Sequence, residues 1–111
     1  MAVTVKVLIA PKSAENTQTT QYTADGVRAI IDKFTATNYD SVARTLSVNL
    51  VQLAGTAGND NLLVKTKTLQ AGETYTFPEI VGHALDSGGF ISTIASAASA
   101  LMIRASGREV S

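Results

Sequence analysis

At 111 residues the chain has the size of one domain, able to bury roughly two thirds of its unfolded surface in a single core. Nine Lys and Arg balance nine Asp and Glu, with no run of three cations between Lys6 and Arg108; nucleic-acid binding depends on concentrated positive charge, so that partner is not expected. The absence of cysteine excludes disulfides and thiolate metal sites and suits a reducing compartment.

The apolar stretches, Val7 to Ala10 among them, fall far short of the roughly twenty residues that a membrane-spanning helix needs, so no membrane partner is expected. The first residues, MAVTVKVLIAPKS, alternate as a strand rather than building a signal peptide, which points to a protein remaining in the cytoplasm where it is made. Val3, Val5 and Val7 alternate with Thr4, Lys6 and Leu8, the period of a half-buried strand that Pro11 ends. Lys12 to Gln21 is polar, either a solvated loop leading into an edge strand or an arm reaching a neighbouring subunit.

Ala24-Asp25-Gly26 reads as a turn. Val27 to Asn38 reads as a strand with Ile30, Phe34 and Ala36 on one face, interrupted by Asp32. After a turn at Asn38 to Ser41, the segment Arg44 to Leu53 alternates most cleanly, Leu46, Val48 and Leu50 opposing Thr45, Ser47 and Asn49. A flexible loop at Gly55 to Asn61, a strand at Leu62 to Leu69 and a turn at Ala71 to Glu73 lead into Tyr75 and Phe77. Pro78 to Leu85 suits a short helical turn, with Pro at its start and Gly88 beyond its end. Ile91 to Met102 fits either a helical stripe or two short strands forming a hairpin near Ala97-Ala98; Gly88-Gly89 and the interspersed Ser and Thr favour the hairpin.

Turns recurring every ten to fifteen residues or so, with about eight strand candidates, predict an all-β chain. The expected fold is a single antiparallel β-sandwich over residues 1–111, immunoglobulin-like or a small jelly roll, with one helical turn near 78–85 and residues 1–24 as an N-terminal strand or arm for subunit contacts.

Residues that do chemistry are few. His83 is the only histidine; Asp86 and Glu79 lie at spacings compatible with one helical face, where a carboxylate and imidazole could move a proton, but no nucleophile stands beside them. Zinc wants three or four ligands of His, Cys or carboxylate type, and with one His and no Cys such a site is not expected. Asp25, Asp32, Asp40, Asp60 and Asp86 sit at or near turns without the spacing of a calcium loop, and the glycines form no phosphate-binding motif. The expectation is therefore no catalytic residue, no metal ligand and no cofactor-binding residue. Sugar recognition on a sandwich wants flat aromatic faces, and Tyr39, in a turn, is the candidate platform; capping of the sandwich end is its plainer role.

The C-terminal half, TLQAGETYTFPEIVGHALDSGGFISTIASAASALMIRASG, resembles a group of small bacteriophage structural proteins of the virion surface, neck or tail. The likeness rests on the AGET turn at Ala71 to Thr74, the LDSGGFIS turn from Leu85 to Ser92 and the strand ending IRASGREV at Ile103 to Val110; upstream, VRAIIDKFTATN and TLSVNLVQ share the layout of strand, Asn-containing turn and strand. It implies a non-enzymatic virion protein, a capsid decoration or a neck or tail accessory, assembled in the host cytoplasm. Such a protein acts by symmetric contacts with itself and with a capsid, neck or tail protein. Lys12 to Gln21 and Gly55 to Asn61 are the expected contact segments. The alternative is a glycan-binding adhesion module.

Overall fold

The computed structural model describes residues 2–111. Among the described residues nine strands run in chain order: β1 Val3–Ser13, β2 Thr19–Thr23, β3 Arg28–Asn38, β4 Arg44–Val51, β5 Leu62–Leu69, β6 Thr74–Tyr75, β7 Ala84–Leu85, β8 Phe90–Ala95 and β9 Leu101–Val110. One sheet has the order β1-β9-β3-β6, with β7 also paired to β3, and the other the order β2-β8-β4-β5. All pairs are antiparallel. The all-β sandwich expected from the alternation is the fold observed. Among the described residues no helix is long and apolar enough to cross a membrane.

The order of strands decides between the two expected topologies. The chain behaves as one long ribbon folded over at the β4–β5 hairpin, so that β3 meets β6, β2 meets β8 and β1 meets β9. Successive ribbon pairs alternate between the two sheets, as in a jelly roll, with the short β7 as an addition beside β6. An immunoglobulin-like order does not describe it, because β1 lies antiparallel beside the last strand, in the sheet whose other central strand is β3.

The core forms where the two inner faces meet. Leu101, Ile103 and Ala105 of β9 are buried while Met102 and Arg104 between them are exposed, as a period of two requires. Phe34, Phe77 and Tyr75 pack edge to face, with ring centroids 5.1 Å and 4.8 Å apart. Asn38, fully buried at the end of β3, donates from Nδ2 to the carbonyls of Val42 and Leu69, at 2.8 Å and 3.0 Å, and accepts the Asp40 N–H on Oδ1. It ties the β3–β4 turn to the end of β5.

Four local expectations change. In β3 a bulge between Ile31 and Lys33 advances the phase by one residue, so Ala29, Ile31, Phe34 and Ala36 face the core and Ile30 lies on the outer face. The first strand does not stop at Pro11; two register shifts carry it on to Ser13, and an edge strand tolerates a residue without an N–H. Pro78 to Gly82 is a run of turns, not a helix: Gly82, at φ 91°, reverses the chain and Ala84–Leu85 becomes a strand. Among the described residues the helical element is one 3-10 turn, at Asn59–Asn61. Residues 91–102 do form strands, but β8 and β9 lie in opposite sheets, so the link through Ser99 (φ 54°) is an arch between sheets rather than a hairpin.

Candidate protein-contact edge and end cleft

Each sheet presents edges, and three of the four edge positions are protected. β5 carries Lys65 and Lys67 and a left-handed residue at Thr66 (φ 46°); β2 has five residues and a register shift; β6 and β7 have two residues each. Charge, bulges and brevity are how sheet edges avoid pairing with other chains. β1 differs: it has eleven residues, and from Val3 to Val7 its register on β9 is regular. Val3, Val5 and Val7 all lie exposed, Val5 at 83% of its possible surface. Fully burying one such side chain is worth about 1.5 kcal/mol or more.

The orientation of these valines follows from Leu8. Leu8, one residue out of phase with them, enters the core, so the valine set faces outward; the register shift after Val7 then turns Ile9 inward as well. That phase conflict is the signal in the sequence that could have revealed the exposed row, which alternation alone reads as half-buried. The outer face they share also carries Arg104 and Arg108 of β9 and Arg28 of β3, with Arg108 held by Asp32 in a two-bond ion pair at 2.9 Å and 3.0 Å. Asp32 keeps the Arg108 guanidinium charged to still higher pH than usual.

On the opposite face of β1, Lys6 bridges to Glu109 at 3.3 Å, and the Tyr22 hydroxyl donates to the same carboxylate. The Tyr22 hydrogen bond, then Lys6, hold Glu109 below its ordinary pKa; burial and Glu109 together push the Tyr22 hydroxyl well up. Residues from β1, β2 and β9 thus meet in one polar tie between the sheets.

Both expected contact segments are ordered on their own domain. Lys12 bridges Glu15 at 2.8 Å, Gln21 donates to Glu15 and Thr93, and Gln18 donates to Ser92. Residues 2–24 therefore supply β1 and β2 to this sandwich; Met1 lies outside the described residues. The loop Gly55 to Asn61 is tied rather than loose, Asn61 accepting from Asn49 at 2.7 Å and from the Gly58 N–H at 3.0 Å and donating to Thr56.

The same loop forms one wall of a cleft of about 430 Å³ at the sandwich end, lined also by His83, Asp86, Asp60 and Leu85. His83 and Asp86 do come to one cleft, joined by Asp60, while Glu79 is drawn away as acceptor for the Tyr75 hydroxyl at 2.7 Å. The expected shared helical face does not exist, because the segment is a turn and a strand. Among the described residues no group of three or more His, Cys, Asp or Glu gathers as a metal site. Tyr39 sits at the other turn of β3, half exposed, its hydroxyl 2.7 Å from that of Ser13. Nothing matches this chain in comparisons with protein-family models, with curated proteins or with solved structures.

Proposed function

We propose that the chain is a non-enzymatic structural component of a bacteriophage virion, a decoration or stabilising protein of the capsid or an accessory of the neck or tail. It acts through contacts with its own copies and with a capsid, neck or tail protein. The observation that carries this reading is the regular first half of the β1 edge, Val3 to Val7, with its row of exposed valines, on a molecule whose other described sheet edges are charged, bulged or very short. Jelly rolls serve in viral capsids and in lectins, so the fold supports the reading by analogy without selecting it.

Mass spectrometry of gradient-purified virions from a phage encoding this chain tests the proposal, together with antibody labelling to locate it. A capsid decorator gives many copies over the head and particles that lose heat resistance without it; a neck or tail part gives few copies at one position. A chain left wholly in the lysate supernatant overturns the proposal.

Glycan adhesion is the second reading, favoured by the half-exposed Tyr39 ring. A glycan array gives a signal that Tyr39→Ala abolishes if that reading holds, and no signal otherwise.

A further inference from the structure

We infer that β1 pairs with β1 of a second copy across a two-fold axis at Val5, joining two sandwiches into one continuous sheet. The inference deepens the functional reading, resting on its claim that this chain works through protein contacts, and adds the partner and the register.

The hydrogen bonding at the chain ends sets the geometry. Ala2 and Ser111 exchange both backbone bonds, N to O at 3.2 Å and 2.9 Å. Antiparallel pairs alternate between exchanging both bonds and exchanging none. The register from Val3 to Val7 has no shift, so Thr4 and Lys6 bond inward to Glu109 and Gly107, while Val3, Val5 and Val7 turn their N–H and C=O groups to the free edge. The residues with exposed side chains are therefore also the residues with unpaired backbone groups.

A second copy of the same edge satisfies all of them at once. The run Val3-Thr4-Val5-Lys6-Val7 reads apolar, polar, apolar, polar, apolar from either end. With the axis at Val5, each Val5 opposes the other, and Val3 opposes Val7 twice, so every facing pair offers a donor and an acceptor on both sides. Valine meets valine on one face. On the other face Lys6 opposes Thr4 of the second copy, and Glu109 stands behind that Thr4, so each lysine looks toward the second copy's Glu109 and no like charges oppose directly. The remaining edges are poor mates, being charged, bulged or very short. The bulges beyond Val7 and Pro11 confine the pairing to the first half of β1.

Sedimentation velocity across a wide concentration range, on the full chain and on Val5→Pro, tests the pairing. The Val5 N–H points away from β9, so proline there removes the edge donor while leaving the β1–β9 ladder intact. A wild-type monomer–dimer equilibrium weakened at least tenfold by Val5→Pro, with a melting temperature unchanged at concentrations where both chains are monomeric, is the expected result. A cross-link gives a second reading independent of affinity. Val5→Cys, in a chain without other cysteines, places two thiols on opposed residues and forms a disulfide dimer faster than the exposed control Val81→Cys. A wild-type dimer indifferent to Val5→Pro, or equal cross-linking of the two cysteine variants, overturns the pairing. Failure here leaves the virion reading standing if the chain still copurifies with particles, whereas a β1 dimer absent from purified virions removes the virion reading and keeps the pairing.

Discussion

At the residue scale, two positions carry more than their size suggests. A Cβ on Gly107 would lie 2.0 Å from the Ile30 carbonyl oxygen and 2.9 Å from Leu8 Cδ1. The Leu8 side chain can turn aside, but the Ile30 carbonyl belongs to the neighbouring strand next to its bulge and has no room to yield. Gly107→Ala should therefore cost about 3 kcal/mol, the upper part of the usual range for overpacking, read as a lowered denaturant midpoint at unchanged slope. Asn38 presents the opposite case, a buried amide with both donors and its acceptor engaged. Asn38→Ala strands the Leu69 carbonyl in the interior and frees the β3–β4 turn, a loss of about 2–3 kcal/mol by the same measurement. Neither role is legible in the sequence: a glycine in a strand and an asparagine before a turn are both ordinary there, and only the carbonyls the fold brings against them make them irreplaceable.

At the element scale, Glu109 connects three strands, and its titration gives the molecule an acid limit. Its folded pKa lies below the ordinary 4.5, because the Tyr22 hydrogen bond and Lys6 favour the carboxylate. A depressed carboxylate stabilises fully above its unfolded value, and that contribution fades as pH falls toward the folded one. Glu15, held by Lys12, shifts the same way. The melting temperature should thus hold near neutrality and fall below pH 4.5, and Glu109→Gln should flatten that fall. Tyr22 sets the alkaline side: its pKa is raised above 10.0, so its contribution is intact below that value and declines as pH rises beyond it. An acid limb unchanged by Glu109→Gln would mean that the tie contributes nothing to stability. The strands themselves were largely readable, β5 to the residue and β4 to within two, because their alternation is uninterrupted and each buries one face. Where the sequence reading missed, the cause was phase. The β3 bulge moved Ile30 outward, and alternation in β1 could not say which of its two sets met the core, so the exposed valine row went unseen.

At the scale of the whole molecule, the folded-over ribbon makes nearly every pairing distant in sequence, with β4–β5 the local hairpin and β1–β9 the longest closure. Such topologies fold slowly, in milliseconds to seconds, because loop-closure entropy is lost before distant contacts compensate for it. The order of sheets was closed to sequence reading for the same reason: alternation identifies strands one at a time, while the pairing of Val3 with Val110 depends on everything folded between them. That dependence can be tested by circular permutation. Ala2 and Ser111 are ladder partners, so a short Gly/Ser linker can join the ends, and the exposed arch at Ala97–Ala98 can be opened without dividing a paired strand. In the permutant β9 runs directly into β1, and their closure shrinks from roughly a hundred residues to a few; with a cost growing as (3/2)RT ln n, refolding can accelerate by up to about two orders of magnitude. Stopped-flow refolding should show an increase within that bound if β1–β9 pairing is part of the rate-limiting barrier. An unchanged folding rate in a permutant of native stability would place that pairing after the barrier, leaving β1 as the strand added last to a sandwich already assembled around β3, β4 and β8.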